Sequence, residues 1–170
     1  NFKPHLFEKS YKEYLQHITT FIFDVDGVLT NGSVIVNTDG ALLRTMNVKD
    51  GFALKSAVDK GYHICIISGG SNEGVRKRLE GLGVTEVHLG THYKIGTLEK
   101  FFEKHQIKPE NVLYMGDDLP DFNVMQRVGL PCCPQDAVPE IKSISKYVSH
   151  KKGGKGCVRD VIEQVLKVQG

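Results

Sequence analysis

Residues 20–30 read TFIFDVDGVLT, in which a short apolar run ends abruptly at two aspartates and a glycine. The run Thr20–Phe23 shows no alternation between apolar and polar residues, which is typical of a strand buried on both faces. Such strands occur mainly in parallel sheets that are covered by helices on both sides. The two aspartates would then lie at the carboxyl end of a strand, which is the edge of a parallel sheet where ligands bind.

Further apolar runs alternate with helical patterns along the rest of the chain. The runs cover residues 62–67, 86–89, 112–115, 129–132 and 146–148. Elsewhere apolar residues recur every three or four positions, as in 95–102 and 158–166, and this spacing is typical of helices with one buried face. The alternation predicts an α/β, Rossmann-like fold, with a parallel sheet and helices on both of its faces.

Two segments fall outside this alternation. Residues 33–36 and 42–47 are β-like and flank Asp39-Gly40, a strong turn signal, so we expect a β-hairpin at about residues 32–48. This hairpin is too small to form a second domain. Residues 6–18, from Phe7 to Ile18, have apolar residues at helical spacing and predict an amphipathic helix. We therefore expect an N-terminal extension, residues 1–18, and a single domain, residues 19–170, with a C-terminal tail and helix at about 150–168.

Composition and charge argue against several classes of protein. The formal net charge of +2 gives no support for a nucleic-acid partner, which would need clustered lysines and arginines. No stretch approaches the roughly 18 apolar residues of a membrane span, so we expect no membrane partner. The four cysteines include no C-x-x-C pair and indicate neither a zinc site nor a disulfide framework, which favours the cytoplasm. We see no secretory signal at the N-terminus.

Polar residues follow each of the first four strands of the predicted sheet. Asp24 and Asp26 follow the first strand, Ser68 the second and Asp117 the fourth, while Lys94 begins the helix after the third. Because the carboxyl ends of parallel strands share one edge of the sheet, we expect these side chains to converge. Two acids, a hydroxyl group, a lysine and a further acid therefore form the predicted site.

These residue types suit phosphoryl transfer. A carboxylate such as Asp24 can attack phosphorus and form an aspartyl-phosphate, which divides one difficult step into two. A second carboxyl, Asp26, can protonate the leaving oxygen and later take a proton from water. Asp24 and Asp117 with a phosphate oxygen would hold Mg²⁺, which we expect as cofactor. Lys94 adds a positive charge and Ser68 a hydroxyl donor.

Each of these features alone also has a simpler explanation. The D-x-D-G of Asp24 to Gly27 resembles a fragment of a calcium-binding loop, although the rest of that motif is missing. Ser68 could belong to an ordinary loop and Lys94 could be a solvated residue at a helix start. Asp117 and its neighbour could simply cap the next helix. None of these explanations accounts for the position of all the features at successive strand ends.

Two other functions remain open from the residues. A phospho-acceptor receiver domain also uses acids, a hydroxyl group, a lysine and Mg²⁺ on a parallel sheet. Asp26 counts against it, because an acid/base at that position would make the phospho-enzyme short-lived. A catalytically silent sugar-phosphate sensor or partner-binding subunit is a third function, which the presence of every catalytic residue disfavours.

The four motifs resemble those of the haloacid dehalogenase superfamily, over about residues 20–170. The resemblance implies that Asp24 is the nucleophile and Asp26 the acid/base, with Ser68, Lys94 and the Gly116-Asp117-Asp118 segment as the second, third and fourth motifs. It implies a Mg²⁺ site formed by the side chains of Asp24 and Asp117 and the backbone carbonyl of Asp26.

Within that superfamily the chain resembles the capless branch of phosphatases acting on 2-keto-3-deoxy sugar acid phosphates. The insert after the first motif is only a hairpin, Lys49-Asp50-Gly51 follows it, and the tail 152–159 is rich in glycine. The resemblance implies an eight-carbon substrate, 3-deoxy-D-manno-octulosonate 8-phosphate. It also implies a homotetramer in which the hairpin and tail of neighbouring chains cover each site, since a partner can exclude water in place of a cap.

The resemblance also suggests residues that contact the substrate. They are Thr30, Asp50, Gly69, Gly70, Arg78 and Gly154. The branch often has Ser-Gly-Arg where this chain has Ser68-Gly69-Gly70, so one basic contact is missing. An alternative substrate is a nine-carbon, sialic-acid-like 9-phosphate, whose enzymes tend to have Glu and Lys where this chain has Gly70 and Gly81. These glycines argue mildly against it.

Overall fold

The computed structural model describes residues 10–170. Its strands are β1 (Thr20–Phe23), β2 (Ile35–Val36), β3 (Leu42–Leu43), β4 (His63–Ile67), β5 (Glu86–His88), β6 (Val112–Met115), β7 (Leu130–Cys133) and β8 (Tyr147–Val148). Six of them form a parallel sheet in the order β5-β4-β1-β6-β7-β8, and β2 pairs with β3 in an antiparallel hairpin. The predicted α/β fold is confirmed.

Helices cover both faces of this sheet. They are α1 (Tyr11–Gln16), α2 (Val48–Asp59), α3 (Glu73–Gly81), α4 (Lys94–His105), α5 (Phe122–Met125), α6 (Pro139–Ile144) and α7 (Cys157–Gln169). Apolar residues of α1, α2, α3 and α7 pack in one core with Phe21 and Phe23 of β1. Residues of α4, α5 and α6 pack in a second core with Ile22, the residue between them. Both faces of β1 are therefore buried, which explains the uninterrupted apolar run.

The central strand β1 places the first acids beside those of β6. Thr20 pairs with His63 of β4 on one side and with Val112 of β6 on the other, and the pairing continues in register to Phe23. The chain extends the sheet from β1 through β4 to β5, then returns to β6 and continues outward. Such a reversal of strand order opens a crevice at the carboxyl ends of β1 and β6, where α/β proteins bind ligands.

The hairpin forms where it was predicted, but its strands are shorter. Each strand has two residues, and the backbone N–H of Asn37 donates to the carbonyl of Ala41 across the turn. The run 42–47 stops pairing after Leu43 because Asn47 becomes the N-cap of α2, where its side chain accepts hydrogen bonds from Lys49 and Asp50. Predicted boundaries of the six sheet strands differ from the observed ones by one residue at most.

The described part of the N-terminal segment packs on the C-terminal helix. Leu15 and Ile18 are buried, and the side chain of Gln169 donates to both of their carbonyls. Tyr11 stacks on Tyr147 with ring centroids 4.7 Å apart. Helix α1 begins at Tyr11, and the start of the predicted amphipathic helix, including Phe7, lies outside the described residues. Within residues 10–170, no helix combines the length and apolar character that crossing a bilayer requires.

Candidate active site

An open cleft of about 510 Å³ lies at the carboxyl ends of β1, β4 and β6. It is lined by residues that follow these strands and β5: Asp24, Asp26, Gly32, Ser68, Gly69, Gly70, Thr91, His92, Lys94, Asp117, Asp118 and Pro120. The cleft therefore brings together the five residues from which the sequence predicts a catalytic site. Gly69 and Gly70, two of the predicted substrate contacts, also line it.

Three carboxylates meet at the base of the cleft. Asp24, Asp117 and Asp121 each offer an oxygen, and these oxygens lie within 4.8 Å of one another. Asp117 can approach because residue 27 is a glycine, since a Cβ on Gly27 would overlap the Asp117 carboxylate. Gly27 also has a φ of +85°, which strongly favours glycine. Residue 27 of the D-x-D-G motif must therefore be glycine for two reasons: the backbone has a positive φ there, and the Asp117 side chain occupies the space that a Cβ would need.

Lys94 connects two of these carboxylates. Its ammonium nitrogen lies 2.8 Å from Oδ1 of Asp121 and 3.3 Å from Oδ2 of Asp24. Asp121 is fully buried and also accepts hydrogen bonds from the hydroxyl of Tyr114 and the backbone N–H of Asp117. Asp121 was not predicted as a site residue, because its ion-pair partner Lys94 lies 27 residues away in the sequence.

Burial and mutual repulsion perturb the acids of this cluster. Burial, together with nearby Asp121, raises the pKa of Asp24 well above its ordinary value, although Lys94 opposes the shift. The same two causes raise the pKa of Asp117 to about 7. Burial lowers the pKa of Lys94, but Asp24 and Asp121 outweigh it and the net shift is upward. One lysine is thus surrounded by more negative charge than it can balance, and such a site attracts a further cation.

The loop after β4 forms one wall of the cleft. Ser68 is buried, and its hydroxyl accepts a hydrogen bond from the backbone N–H of Gly70. The carbonyl of Ser68 accepts from Thr91 and that of Gly70 from Gly90, so this loop is tied to the loop after β5. These bonds fix the Ser68 hydroxyl beside the carboxylates and leave its proton available to a ligand.

Asp26 lines the cleft next to Gly70 of this loop and is paired with an arginine. Its two carboxylate oxygens accept hydrogen bonds from Nε and Nη2 of Arg44 at 2.9 and 3.0 Å. These bonds raise the pKa of the Arg44 guanidinium. Arg44 follows β3 of the hairpin, so the insert reaches the site directly. This contact was not predicted, since a basic residue at the end of an exposed hairpin is usually solvated.

Comparison with known proteins identifies the family. A family model described as haloacid dehalogenase-like hydrolase matches residues 84–162. The 3-deoxy-D-manno-octulosonate 8-phosphate phosphatase of Salmonella typhimurium is 36% identical over 167 residues, which cover 98% of this chain and 86% of that protein. The chain belongs to the haloacid dehalogenase-like hydrolases. The enzyme of the same name from Escherichia coli K12 is 37% identical over 155 residues, which cover 91% of this chain and 82% of the Escherichia coli enzyme.

Solved structures agree with this membership. The crystal structure of the enzyme from Yersinia pestis superposes with a TM-score of 0.90 at 33% identity, covering 93% of this chain and 85% of that one. The structure of the enzyme from Moraxella catarrhalis, in complex with a magnesium ion, a phosphate ion and KDO, superposes with a TM-score of 0.89 at 32% identity. The match covers 93% of this chain and 91% of that one. The predicted resemblance to this hydrolase superfamily and to its capless branch is confirmed, and the chain is a phosphatase by family.

Two residues expected to contact the substrate, Thr30 and Asp50, have other partners in this hydrolase. Thr30 is fully buried, and its hydroxyl accepts hydrogen bonds from the backbone N–H groups of Gly27 and Gly32, which shapes the first-motif loop. Asp50 is only 1% exposed and accepts from the backbone N–H of Arg159. Neither side chain lines the cleft of the single chain, and each accepts hydrogen bonds from backbone N–H groups. Asp50 instead joins α2 to the start of α7.

Arg78 and Gly154 also lie away from the cleft. Arg78 is exposed on α3 and faces a neighbouring groove, where its guanidinium lies against Gly51. Gly154 belongs to the tail, and its backbone N–H donates to the carbonyl of Val28 in the first-motif loop. Within this one chain neither residue is placed to touch a ligand at Asp24. The tail packs against the outside of its own first-motif loop.

Proposed function

We propose that this chain is a Mg²⁺-dependent phosphatase that removes the phosphate of 3-deoxy-D-manno-octulosonate 8-phosphate through an aspartyl-phosphate on Asp24. The observation that carries the proposal is the junction of Asp24, Lys94, Asp117 and Asp121 at one strand edge. The substrate is proposed from relatives that carry this name at 36–37% identity. The cytoplasm is the compartment we propose, since all four cysteines are free.

The residues of the cluster suit a magnesium ion. Asp24 and Asp117 would supply carboxylate oxygens and Asp26 its backbone carbonyl, a donor set of hard oxygens. The raised pKa values of Asp24 and Asp117 support the fit, because two crowded carboxylates, one buried and one partly buried, need a cation to remain ionised together. When bound, the ion would neutralise charge on the phosphoryl group as it is transferred.

The first half of the reaction forms a bond between Asp24 and phosphorus. The free oxygen of Asp24 attacks the phosphoryl group in line with the ester oxygen, which leaves with a proton from Asp26. Lys94 and the hydroxyl of Ser68 hold the equatorial phosphoryl oxygens and stabilise their negative charge. The sugar acid departs, and Asp24 carries the phosphoryl group.

The second half releases phosphate. Asp26, now deprotonated, takes a proton from a water molecule that attacks phosphorus, and the bond to Asp24 breaks. Asp121 touches neither reactant in this scheme. It holds the ammonium of Lys94 at 2.8 Å and the backbone of Asp117 at 3.2 Å, and so positions both groups.

Phosphate release from the eight-carbon substrate tests the proposal. We expect turnover with Mg²⁺, its loss with EDTA, and its recovery when Mg²⁺ is restored. Asp24→Asn should abolish turnover, while Asp59→Asn, an exposed aspartate paired with Lys55, should have wild-type activity. Binding of the substrate without turnover by the wild-type protein would contradict the proposal and favour a silent sensor.

The preference between sugars needs its own comparison. The relatives reported above carry the eight-carbon name, which supports that sugar over the nine-carbon alternative. We expect kcat/KM for the eight-carbon 8-phosphate to exceed that for a nine-carbon 9-phosphate by about 10-fold or more. The reverse order would replace the substrate while leaving the chemistry at Asp24 intact.

We also propose a homotetramer in which neighbouring hairpins and tails close each cleft. The hairpin supports this because its apolar residues are exposed in the single chain: Val34, Ile35, Val36, Leu42 and Leu43 are 39–70% exposed. Five exposed apolar side chains on one short hairpin are a common feature of protein interfaces. Light scattering should give four times the chain mass. Val36→Lys should shift the protein to smaller species, and a monomeric wild-type protein would contradict the assembly.

A further inference from the structure

Arg44 brings a guanidinium from the hairpin to the rim of the cleft. Its side chain is only 7% exposed, and it makes two parallel hydrogen bonds to Asp26. Nη1 donates to the carbonyl of Leu42, which also accepts from the side chain of Asn72. The guanidinium is therefore held in one orientation, by the hairpin on one side and by the first-motif loop on the other.

Gly70 leaves room for this guanidinium. A Cβ at position 70 would lie 2.8 Å from Nη2 of Arg44 and 3.3 Å from Oδ2 of Asp26, and the first distance is too short for a real contact. Any side chain at this position would displace the guanidinium. A small cavity of about 10 Å³ lies beside Arg44, and it shares Asp26, Ser68 and Gly70 with the lining of the cleft.

The cleft has few cations for a substrate with two anionic groups. Among the described residues that line it, Lys94 is the only lysine or arginine, and its ammonium is engaged by Asp24 and Asp121. A sugar acid phosphate carries a carboxylate in addition to its phosphate. With the phosphoryl group at Asp24, that carboxylate needs a donor beyond the residues that line the cleft, and Arg44 lies next to Gly70 of that lining.

We propose that Arg44 is a specificity-determining residue that binds the carboxylate of the substrate. The proposal rests on the function proposed above. Nη2 uses one of its two N–H groups for Asp26, so the second is available to a carboxylate oxygen in the space beside Gly70. Charge-assisted hydrogen bonds of this kind are strong and directional. Arg44 thereby fixes Asp26 and recognises the sugar acid with one planar group.

The test compares the eight-carbon 8-phosphate with its methyl ester, which lacks the carboxylate charge but has the same leaving group. For the wild-type protein we expect kcat/KM to be about 10-fold or more higher for the acid. In Arg44→Met the acid should lose this advantage, mainly through KM, so that the acid-to-ester ratio approaches one. Arg44→Lys should retain part of the preference. Arg127→Met, an exposed arginine paired with Glu99, should leave the ratio unchanged.

Gly70→Ala provides a second variant in case Arg44→Met does not fold, which thermal unfolding reports. The added methyl group crowds Nη2 and should lower the same ratio. A wild-type ratio near one, or an unchanged ratio in the Arg44 and Gly70 variants, would overturn the proposal. Equal losses of kcat on acid and ester would assign Arg44 to the positioning of Asp26 alone and would likewise overturn it.

Failure of the proposed function has a different signature. The wild-type protein would then hydrolyse p-nitrophenyl phosphate but neither eight-carbon compound. In that case 6-phosphogluconate and sorbitol 6-phosphate replace the acid and the ester, since they differ in the carboxylate and both carry phosphate on a primary C6 hydroxyl. The absence of an Arg44-dependent preference for the acid in this pair would overturn the proposal about Arg44.

Discussion

Lys94 and Asp121 form a buried ion pair of 2.8 Å beneath the candidate active site. Asp121 also accepts a hydrogen bond from the fully buried Tyr114, so its oxygens are satisfied without solvent. This ion pair also holds the Lys94 ammonium nitrogen 3.3 Å from Oδ2 of Asp24. Asp121, which takes no part in the proposed chemistry, thus positions the Lys94 ammonium that assists the nucleophile.

Asp121→Ala should therefore reduce both stability and activity. The substitution leaves the ammonium of Lys94 and the hydroxyl of Tyr114 buried without their partner, and breaking a buried pair in this way costs about 3–5 kcal/mol. Urea unfolding measures the loss. Asp59→Ala, at an exposed aspartate, is the control and should change the free energy of unfolding by less than about 0.5 kcal/mol. Wild-type stability in Asp121→Ala would contradict this account of the pair.

Gly27→Ala should abolish activity. Its Cβ would overlap the carboxylate of Asp117, and its φ of +85° would strain the backbone by about 1–2 kcal/mol. Gly81→Ala is a matched control, because Gly81 lies in α3 with no atom near its added Cβ. That change should raise the free energy of unfolding by about 0.5–1 kcal/mol and leave kcat/KM unchanged. Comparable activity in the two variants would refute the packing of Gly27 on Asp117.

Magnesium should stabilise the protein through Asp117. Because burial and Asp121 raise the pKa of Asp117 to about 7, a bound cation relieves repulsion that the folded protein otherwise bears. We expect Tm to rise with Mg²⁺ concentration, by mass action on the folded state. In Asp117→Asn the rise should be largely lost, while Tm without Mg²⁺ should not fall. Calorimetry with Mg²⁺ and with EDTA measures both, and an undiminished Mg²⁺ effect in the variant would argue against Asp117 as a ligand.

Glu86, at the opposite edge of the sheet, should make stability depend on pH. Burial raises the pKa of Glu86, but hydrogen bonds from Lys104, His105 and His88 outweigh it and lower the pKa to about 2 from 4.5. Glu86 then makes its full contribution to the free energy of unfolding above pH 4.5, and this contribution disappears as the pH falls through about 2. Glu86→Gln should cost about 1 kcal/mol at pH 7, since the lysine partner is exposed.

Chemical denaturation of wild type and Glu86→Gln at pH 7 and pH 2 checks this linkage. The difference in the free energy of unfolding should be present at pH 7 and much smaller at pH 2. Glu99→Gln, at a more exposed carboxylate paired with Arg127, is the control and should show a smaller difference. A Glu86→Gln effect that is equal at both pH values would refute the assigned pKa shift.

The sequence was sufficient to predict the sheet and the acids at its edge. Both follow from short-range patterns, because uninterrupted apolar runs mark buried strands and parallel strands end together. Asp24, Lys94 and Asp117 could thus be found without coordinates. Arg44 and Asp121 could not be given roles, since each depends on a partner distant in sequence.

The substrate contacts were harder to predict than the catalytic residues. Asp50 was expected at the substrate from the resemblance of its segment alone, but the start of α7 encloses its side chain and the backbone N–H of Arg159 binds it. Arg78 was also expected there from the family resemblance, but α3 directs it to a different groove. Contacts of this kind depend on helix orientation, which local sequence patterns do not specify.

The central claim is that Asp24 becomes phosphorylated during turnover. Its most direct test mixes Asp26→Asn, which lacks the acid/base that hydrolyses the intermediate, with Mg²⁺ and p-nitrophenyl phosphate, whose phenolate leaves without a proton from residue 26, and quenches the mixture in acid. Peptide mass spectrometry should then find one phosphoryl group, on Asp24. Phosphate attached to another residue, or turnover that continues in Asp24→Asn, would contradict the account.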